Sequence, residues 1–180
     1  LDEALSKISL ASDDTLYMLG DMIDRGPDPL GVIKLVRSLP NAHVLKGNHE
    51  QIMLDAIIGQ DPLDAETWDI NGGWSTREQL NAMEFEAYEE LVRWMAGLPL
   101  YAVTATDERP YLLVHAGIEM EAARAFLQEH NVDCSDGAGA VDADQELLAQ
   151  MLAVQSSDDL LWIRHGYWDA PTGLLSAKGE

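Results

Sequence analysis

The hydrophobic pattern of the first sixty residues predicts strands that alternate with helices. Residues 15–19 and 43–46 are short apolar runs of strand length, and a polar, glycine-containing loop follows each of them. Residues 28–39 begin with Asp-Pro and then place apolar side chains at i, i+3, i+4 and i+7, which is typical of a capped helix. A further helix is predicted from the second loop to residue 59. This order is typical of α/β proteins, which tend to place functional sites at the C-terminal ends of strands.

The rest of the chain predicts helices and one hairpin, without an internal repeat. Residues 119–159 are interpreted as a helical insertion or lid within a single domain that spans residues 1–180. Residues 60–79 show no regular pattern. The other predicted elements are a helix at 84–96, paired strands at 100–104 and 111–114, helices at 122–128 and 145–152, and an apolar strand at 160–164.

Composition and charge exclude several classes of function. The 11 basic and 32 acidic residues give a formal net charge of −21, which argues against nonspecific nucleic-acid binding because that binding needs Lys and Arg. No apolar run is long enough to cross a bilayer, so no membrane partner is expected. The single cysteine, Cys134, agrees with a reducing cytoplasm and is interpreted as a bystander thiol.

Polar side chains with metal-binding chemistry follow three of the predicted strands. Asp21 and Asp24 come after the first strand, Asn48 and His49 after the second, and His115 after the second strand of the hairpin. Two carboxylates in one loop repel each other, and a positive charge held between them would offset that repulsion. Mixed oxygen and imidazole ligands suit Mn, Fe or Zn, and they favour a catalytic, partly open site over a structural one.

Two arginines also end predicted strands in a chain that has few basic residues. Arg25 lies in the loop after the first strand, and Arg164 closes the last apolar run. A guanidinium binds phosphate or carboxylate through two parallel hydrogen bonds, so these residues are candidates for holding an anionic substrate.

Each of these signals is common when it stands alone, since loop carboxylates are usually solvated and a lone histidine is usually structural. Their combination and order are informative: Gly-Asp-Met-Ile-Asp-Arg-Gly at 20–26, Gly-Asn-His-Glu at 47–50 and His-Ala-Gly at 115–117. In this combination the chain resembles the calcineurin-like metallophosphoesterases of the phosphoprotein phosphatase type, and within them the small bacterial Ser/Thr protein phosphatases. The resemblance covers residues 1–118 and 160–164. It implies an α/β fold with a central β-sandwich flanked by helices.

The resemblance also implies a pair of divalent metal ions, with Mn preferred and Fe or Zn as alternatives. Asp21 would bridge the two ions, while Asn48 and His115 would bind the second one. A hydroxide shared by the ions would attack phosphorus in line. Glu50 would be a structural partner of the loop and not a ligand.

The remaining roles implied by the resemblance concern proton transfer and phosphate binding. His49 would protonate the leaving oxygen, and Asp24 would hold the imidazole in position. Arg25 would bind the phosphoryl oxygens, with Arg164 as a second clamp and Asn71 approaching the phosphate. The expected partner is a phosphorylated protein or a small phosphoester.

The chain also departs from the family pattern. Family members carry an earlier Gly-Asp-x-His-Gly segment and a late Gly-His segment that supply further ligands, and neither is present. The sequence is therefore expected to be a fragment of a complete enzyme, incomplete at both ends.

Two alternative functions stay open at this point. The first is hydrolysis of dinucleoside polyphosphates such as diadenosine tetraphosphate, although Asp24 and Glu50 favour the phosphatase. The second is a degenerate, non-catalytic module that binds a partner through its acidic surface and the residues at 119–159.

Overall fold

A computed structural model of the protein describes residues 1–59, 61–106, 109–134 and 144–163. These residues form two compact units, one over residues 1–99 and one that begins at Leu100. The elements of the first unit are α1 (Asp2–Ile8), β1 (Leu16–Met18), α2 (Pro29–Ser38), β2 (Ala42–Val44), α3 (Asn48–Ile58), α4 (Pro62–Ile70), α5 (Trp74–Asn81) and α6 (Phe85–Ala96). Those of the second unit are β3 (Tyr101–Ala105), β4 (Pro110–Val114), α7 (Met120–Glu129), α8 (Gln145–Ala153) and α9 (Ser157–Trp162).

The sheet of the first unit explains why its two polar loops meet. β1 and β2 pair in parallel, with Met18 opposite Val44, so both strands end at the same edge of the sheet. The pairing continues one step further, because the backbone N–H of Leu45 donates to the carbonyl of Met18 at 2.8 Å. The predicted α/β class is thus confirmed in this unit.

The helices of the first unit bury a common core, against which strand side chains such as Met18 and Val44 also pack. α3 packs against α4 and α6, and α2 packs against α5. Val36, Met53 and Met95 are almost completely buried in that core. The helices predicted at 28–39 and 84–96 are confirmed as α2 and α6.

The described part of the region at 60–79, for which no regular structure was predicted, forms the helix α4 and most of α5. The start of α4 carries a clear physical signal. Asp61 accepts a hydrogen bond from the backbone N–H of Leu63, and Pro62 occupies the first turn, as Asp28 and Pro29 do for α2. The two helices are joined by a turn at 71–73, which becomes important at the site.

The second unit is built on the predicted hairpin. β3 and β4 pair antiparallel, with Tyr101 opposite Val114. Three helices pack with this hairpin around a separate core, in which Leu127, Met151 and Leu152 are fully buried. The predicted helices at 122–128 and 145–152 are confirmed as α7 and α8.

The strand predicted at 160–164 is wrong, because residues 160–162 belong to the helix α9. Ser156 and Asp159 cap its first turn, since the Ser156 hydroxyl and the Asp159 carboxylate each bond the other residue's backbone N–H. Leu160 and Leu161 are buried on this helix. Arg164, predicted as a phosphate clamp, lies outside the described residues.

Residues 119–159 contribute α7, α8 and the start of α9 to the core of the second unit, so the described part of this region packs as a core element. Its assignment as a lid and the single-domain organisation stay predictions. The loop at 135–143 lies outside the described residues. Among the described helices, none has the length and apolar character needed to cross a membrane.

Candidate functional site

A buried carboxylate joins the two loops that follow β1 and β2. Glu50, in the first turn of α3, is fully buried. One of its oxygens accepts the backbone N–H groups of Asp21 and Gly47, each at 2.8 Å, and the other accepts that of Met22 at 2.8 Å. Burial of an unpaired carboxylate destabilises a fold, and the three backbone donors offset this cost at Glu50. Glu50 thus has the structural role expected from the sequence.

The two loops approach so closely that glycine is required at the crossing. A Cβ atom at Gly20 would collide with the backbone of Gly47, and one at Gly47 would collide with Asp21 and with the Glu50 carboxylate. Gly20 also has a φ of 95°, which favours glycine on its own. These glycines let the polar ends of β1 and β2 share one small volume.

The first loop has an unusual backbone at three functional candidates. Asp21, Asp24 and Arg25 have φ values of 55°, 67° and 57°, in the left-handed region that non-glycine residues rarely adopt. Such conformations cluster at functional sites, where surrounding contacts hold them in place. Here the contacts to Glu50 and to the turn at 71–73 hold the loop.

Asp24 and His49 form a buried pair. The His49 Nδ1 atom lies 2.7 Å from the Asp24 Oδ2 atom, and the side chains are 5% and 0% exposed, respectively. An ionised carboxylate only accepts hydrogen bonds, so Nδ1 is the donor in this pair. His49 therefore keeps Nε2 as the nitrogen that is available for proton exchange.

Two further side chains bind the same carboxylate. The Thr76 Oγ1 atom lies 2.7 Å from Asp24 Oδ1, and the Trp68 indole Nε1 lies 3.1 Å from Oδ1 and 3.2 Å from Oδ2. The backbone N–H of Asp24 donates in turn to Thr76 Oγ1 at 2.9 Å. Thr76 is completely buried, and Trp68 is 3% exposed.

Arg25 is exposed and is oriented by the turn between α4 and α5. Its backbone N–H donates to the carbonyl of Gly72, and its Nε donates to the carbonyl of Asn71, both at 3.1 Å. The Asn71 side-chain amide donates to the carbonyl of Thr67 at 2.8 Å and so closes the end of α4. With Nε bound in this way, the terminal nitrogens of the guanidinium remain for an anion. The contact between Asn71 and a phosphate stays a prediction.

The candidate ligands for a cation at this edge, Asp21 and Asn48, offer oxygen atoms. The Asp21 carboxylate accepts the backbone N–H of His49 at 3.2 Å, which places it at the first turn of α3 beside Asn48. Carboxylate and amide oxygens suit hard divalent ions. Among the described residues, no three His, Cys, Asp or Glu side chains are grouped closely enough to hold a metal ion. The donors of the first unit therefore fit part of a metal site and need further ligands.

Comparison with known proteins decides the family. The family profile described as calcineurin-like phosphoesterase matches residues 1–176 of the chain. The chain belongs to the calcineurin-like phosphoesterases. The resemblance inferred from the motifs is thereby confirmed, and so is its assignment to a family of hydrolases. Members of this family bind two divalent metal ions.

Several curated relatives of the chain share one name, symmetrical bis(5'-nucleosyl)-tetraphosphatase. The protein from Proteus mirabilis is 32% identical over 123 residues, which are 66% of this chain and 40% of the relative. That from Erwinia tasmaniensis is 32% identical over 122 residues, or 64% and 40%, respectively. That from Legionella pneumophila is 33% identical over 157 residues, or 83% and 51%. The chain thus spans about two-fifths to one-half of the length of these relatives.

The first unit of this calcineurin-like phosphoesterase brings most of the predicted site residues together. His115 follows β4 in the second unit, and its role as a ligand stays a prediction from the motif. Arg164 lies outside the described residues. The predicted residues that the loops, α3 and the turn at 71–73 gather in the first unit are Asp21, Asp24, Arg25, Asn48, His49 and Asn71.

Sequence reasoning missed Trp68 and Thr76. Both lie in the region that showed no regular pattern, and they contact Asp24 across 44 and 52 positions of the chain. A buried indole and a buried hydroxyl each need a hydrogen-bond partner, but the sequence does not say which one. The Asp61-Pro62 signal at the start of α4 would have placed Trp68 on a helix.

Cys134 fits its interpretation as a bystander. Burial raises the pKa of its thiol, and the nearby Asp133 carboxylate raises this pKa further against the opposing effect of Arg124. A raised pKa lowers the fraction of reactive thiolate. Its Sγ donates to the carbonyl of Val132 at 3.6 Å.

Proposed function

We propose that the protein containing this chain is a metal-dependent phosphoesterase in which His49 acts as the general acid. The observation that carries this proposal is the buried Asp24–His49 pair, which follows two strands at one sheet edge together with Asp21 and Arg25. A histidine with one nitrogen fixed on a carboxylate is suited to give a proton from the other.

The metal ligands in this proposal are those that the family motifs imply, Asp21, Asn48 and His115, and motifs that this chain does not carry would supply the others. Two divalent cations would activate a water molecule and neutralise charge on the phosphoryl group. Mn is the proposed metal, with Fe or Zn as alternatives, because carboxylate, amide and imidazole donors suit all three.

Phosphate binding and proton transfer are the remaining roles, and the proposal assigns them to Arg25 and His49. The Arg25 guanidinium binds the phosphoryl oxygens, since the turn at 71–73 fixes its Nε and leaves its terminal nitrogens. As the bond between phosphorus and the leaving oxygen breaks, the proton on His49 Nε2 passes to that oxygen. His49 ends neutral and retains its Nδ1 proton on Asp24.

The relatives favour a dinucleoside polyphosphate as the substrate over the phosphoprotein that the sequence motifs suggested first. All the relatives described above carry the name of a symmetrical bis(5'-nucleosyl)-tetraphosphatase. We therefore propose diadenosine tetraphosphate or a close analogue as the substrate class. Symmetrical cleavage adds one water across the central phosphoanhydride and gives two nucleoside diphosphates.

A second candidate is a phosphoserine or phosphothreonine residue in a protein. Asp24 and Glu50 favour it, because the Asp-Arg-Gly and Asn-His-Glu sequences resemble those of the bacterial protein phosphatases. In the structure Asp24 is the hydrogen-bond partner of His49, and Glu50 links the two loops.

A substrate panel separates these candidates. The protein encoded by the whole reading frame is assayed with Mn²⁺ on diadenosine tetraphosphate and on phosphoserine and phosphothreonine peptides. The proposal expects a higher kcat/KM for the dinucleotide, two equivalents of ADP, and loss of activity on chelation. Preference for the peptides would establish the second candidate. Absence of hydrolysis on all substrates would favour the non-catalytic binding module.

A further inference from the structure

We propose that Trp68 and Thr76 are positioning residues for the general acid. They would act through Asp24, which they hold in the one orientation that bonds His49. The inference rests on the proposed function of His49, and the NMR measurement below tests it independently of that function.

The two contacts of the Thr76 hydroxyl show in which one it accepts and in which one it donates a hydrogen bond. The hydroxyl oxygen accepts the backbone N–H of Asp24 at 2.9 Å, so this contact uses a lone pair. The 2.7 Å contact to Asp24 Oδ1 must then use the hydroxyl hydrogen, because the carboxylate has none to give. Thr76 therefore bonds both the backbone and the side chain of one residue and fixes the dihedral angles between them.

Trp68 fixes the carboxylate from another direction. Its indole N–H is shared between Oδ1 at 3.1 Å and Oδ2 at 3.2 Å, which is a bifurcated bond across both oxygens of Asp24. Together with Thr76 and His49, it supplies three donors to a carboxylate that is completely buried. Donors from three side chains leave a carboxylate little freedom to rotate, so its oxygens keep the direction in which they accept the imidazole N–H.

The indole is itself held in place. The Arg77 guanidinium lies over its ring, 4.8 Å from the centroid, and pairs with Asp69 at 2.7 Å. Gly73 also lies so close that a Cβ atom there would collide with the ring. The turn that carries Gly73 also binds Arg25, so one pair of helices orients both the acid and the phosphate anchor.

The first test uses substrates that differ in how much they need an acid. Phenyl phosphate has a poor leaving group, whereas p-nitrophenyl phosphate has a good one and a similar shape. Thr76→Val in the full-length protein should lower kcat for phenyl phosphate by about tenfold. It should change kcat for p-nitrophenyl phosphate much less, and Thr76→Ser should restore the wild-type ratio.

Ser75 offers a matched control in the same helical turn. It is 3% exposed, and among the described residues its Oγ has no hydrogen-bond partner. Ser75→Ala therefore removes a buried hydroxyl without touching Asp24 and should leave the ratio of the two rates unchanged. An equal loss on both substrates in Thr76→Val, or no loss on either, would overturn the proposal.

Trp68 is tested in the same way against Trp94. Both indoles lie under an arginine, since Arg37 is 5.1 Å from the Trp94 centroid, but only Trp68 bonds Asp24. Trp68→Phe should reproduce the leaving-group effect of Thr76→Val, and Trp94→Phe should not. The same effect in both variants would show a general loss of packing and contradict the proposal.

A readout without catalysis separates this inference from the proposed function. In the ¹⁵N-labelled protein, the indole N–H resonance that disappears in Trp68→Phe should shift in Asp24→Asn and in Thr76→Val. It should stay in place in Ser75→Ala. If the indole resonance does not shift in Asp24→Asn, the positioning role of Trp68 and Thr76 is overturned, even if the enzyme is active. If the resonance shifts in a protein that hydrolyses none of the substrates, the contacts to Asp24 are supported and the proposed function is refuted.

Discussion

At the scale of single residues, the site depends on two buried carboxylates with different tasks. Glu50 accepts three backbone N–H groups and fixes the path of two loops. Asp24 accepts side-chain donors and fixes the orientation of an imidazole. Both charges are satisfied by geometry that a shorter or neutral side chain cannot reproduce.

Glu50→Gln should therefore destabilise the protein by about 2–4 kcal/mol, because the new amide group would face backbone donors and leave at least one of them unpaired. Urea denaturation measures this loss. Glu90→Gln is the matched control, since Glu90 is exposed and its ion pair in the described part of the chain is with Arg37, a contact worth about 0–1 kcal/mol. Equal stabilities of the two variants would refute the structural role given to Glu50.

Some of these residue contacts were predictable and others were not. The Gly-Asp-x-x-Asp-Arg-Gly and Gly-Asn-His-Glu sequences each place their residues at a strand end, and parallel pairing brings the two ends together. The contacts of Asp24 to Trp68 and Thr76 depend on how α4 and α5 pack, which the local sequence does not determine.

At the scale of elements, the site is the place where two parallel strands end. The loop after β1 and the N-terminus of α3 share a volume that admits no side chain at Gly47. The close approach lets Glu50 reach both loops, so packing and hydrogen bonding depend on each other here.

Gly47→Ala should destabilise the protein by about 1–3 kcal/mol, because the new Cβ would collide with Asp21 and with the Glu50 carboxylate. Gly26→Ala is the control in the same region. A Cβ at Gly26 would meet only the Asp24 carbonyl at 3.7 Å, an ordinary contact. Thermal unfolding of both variants measures this loss. A Gly47→Ala variant as stable as the wild type would contradict the close approach of the two loops.

The elements also show where sequence patterns succeed. α2 and α6 combine helical spacing with terminal signals, and both were predicted. α9 was predicted as a strand because a short apolar run has no period of its own, although Ser156 and Asp159 mark a helix start. α4 was missed despite the Asp-Pro signal, because its sequence has no clear apolar face.

At the scale of the whole molecule, charge is the dominant feature. A formal net charge of −21 in 180 residues creates self-repulsion in the compact state. Salt screens this repulsion, since the Debye length falls from about 30 Å at 0.01 M to about 10 Å at 0.1 M.

Raising NaCl over that range should therefore increase the midpoint of thermal unfolding by about 2–4 °C, equivalent to about 1 kcal/mol for a chain of this length. Calorimetry at constant pH without divalent ions measures the change. KCl should act like NaCl if screening is the cause. A midpoint that falls with salt would mean that attractive ion pairs outweigh the repulsion.

The proposed role of His49 is to give a proton to the leaving group of a phosphoester, and its replacement by asparagine tests this role. The turnover of phenyl phosphate by the full-length protein is compared with that of His49→Asn, with metal content determined by elemental analysis on the same samples. We predict a fall in kcat of about 100-fold or more with the metal content retained, because asparagine has no proton to transfer. An unchanged turnover in a variant that keeps its metal would show that His49 is not the general acid.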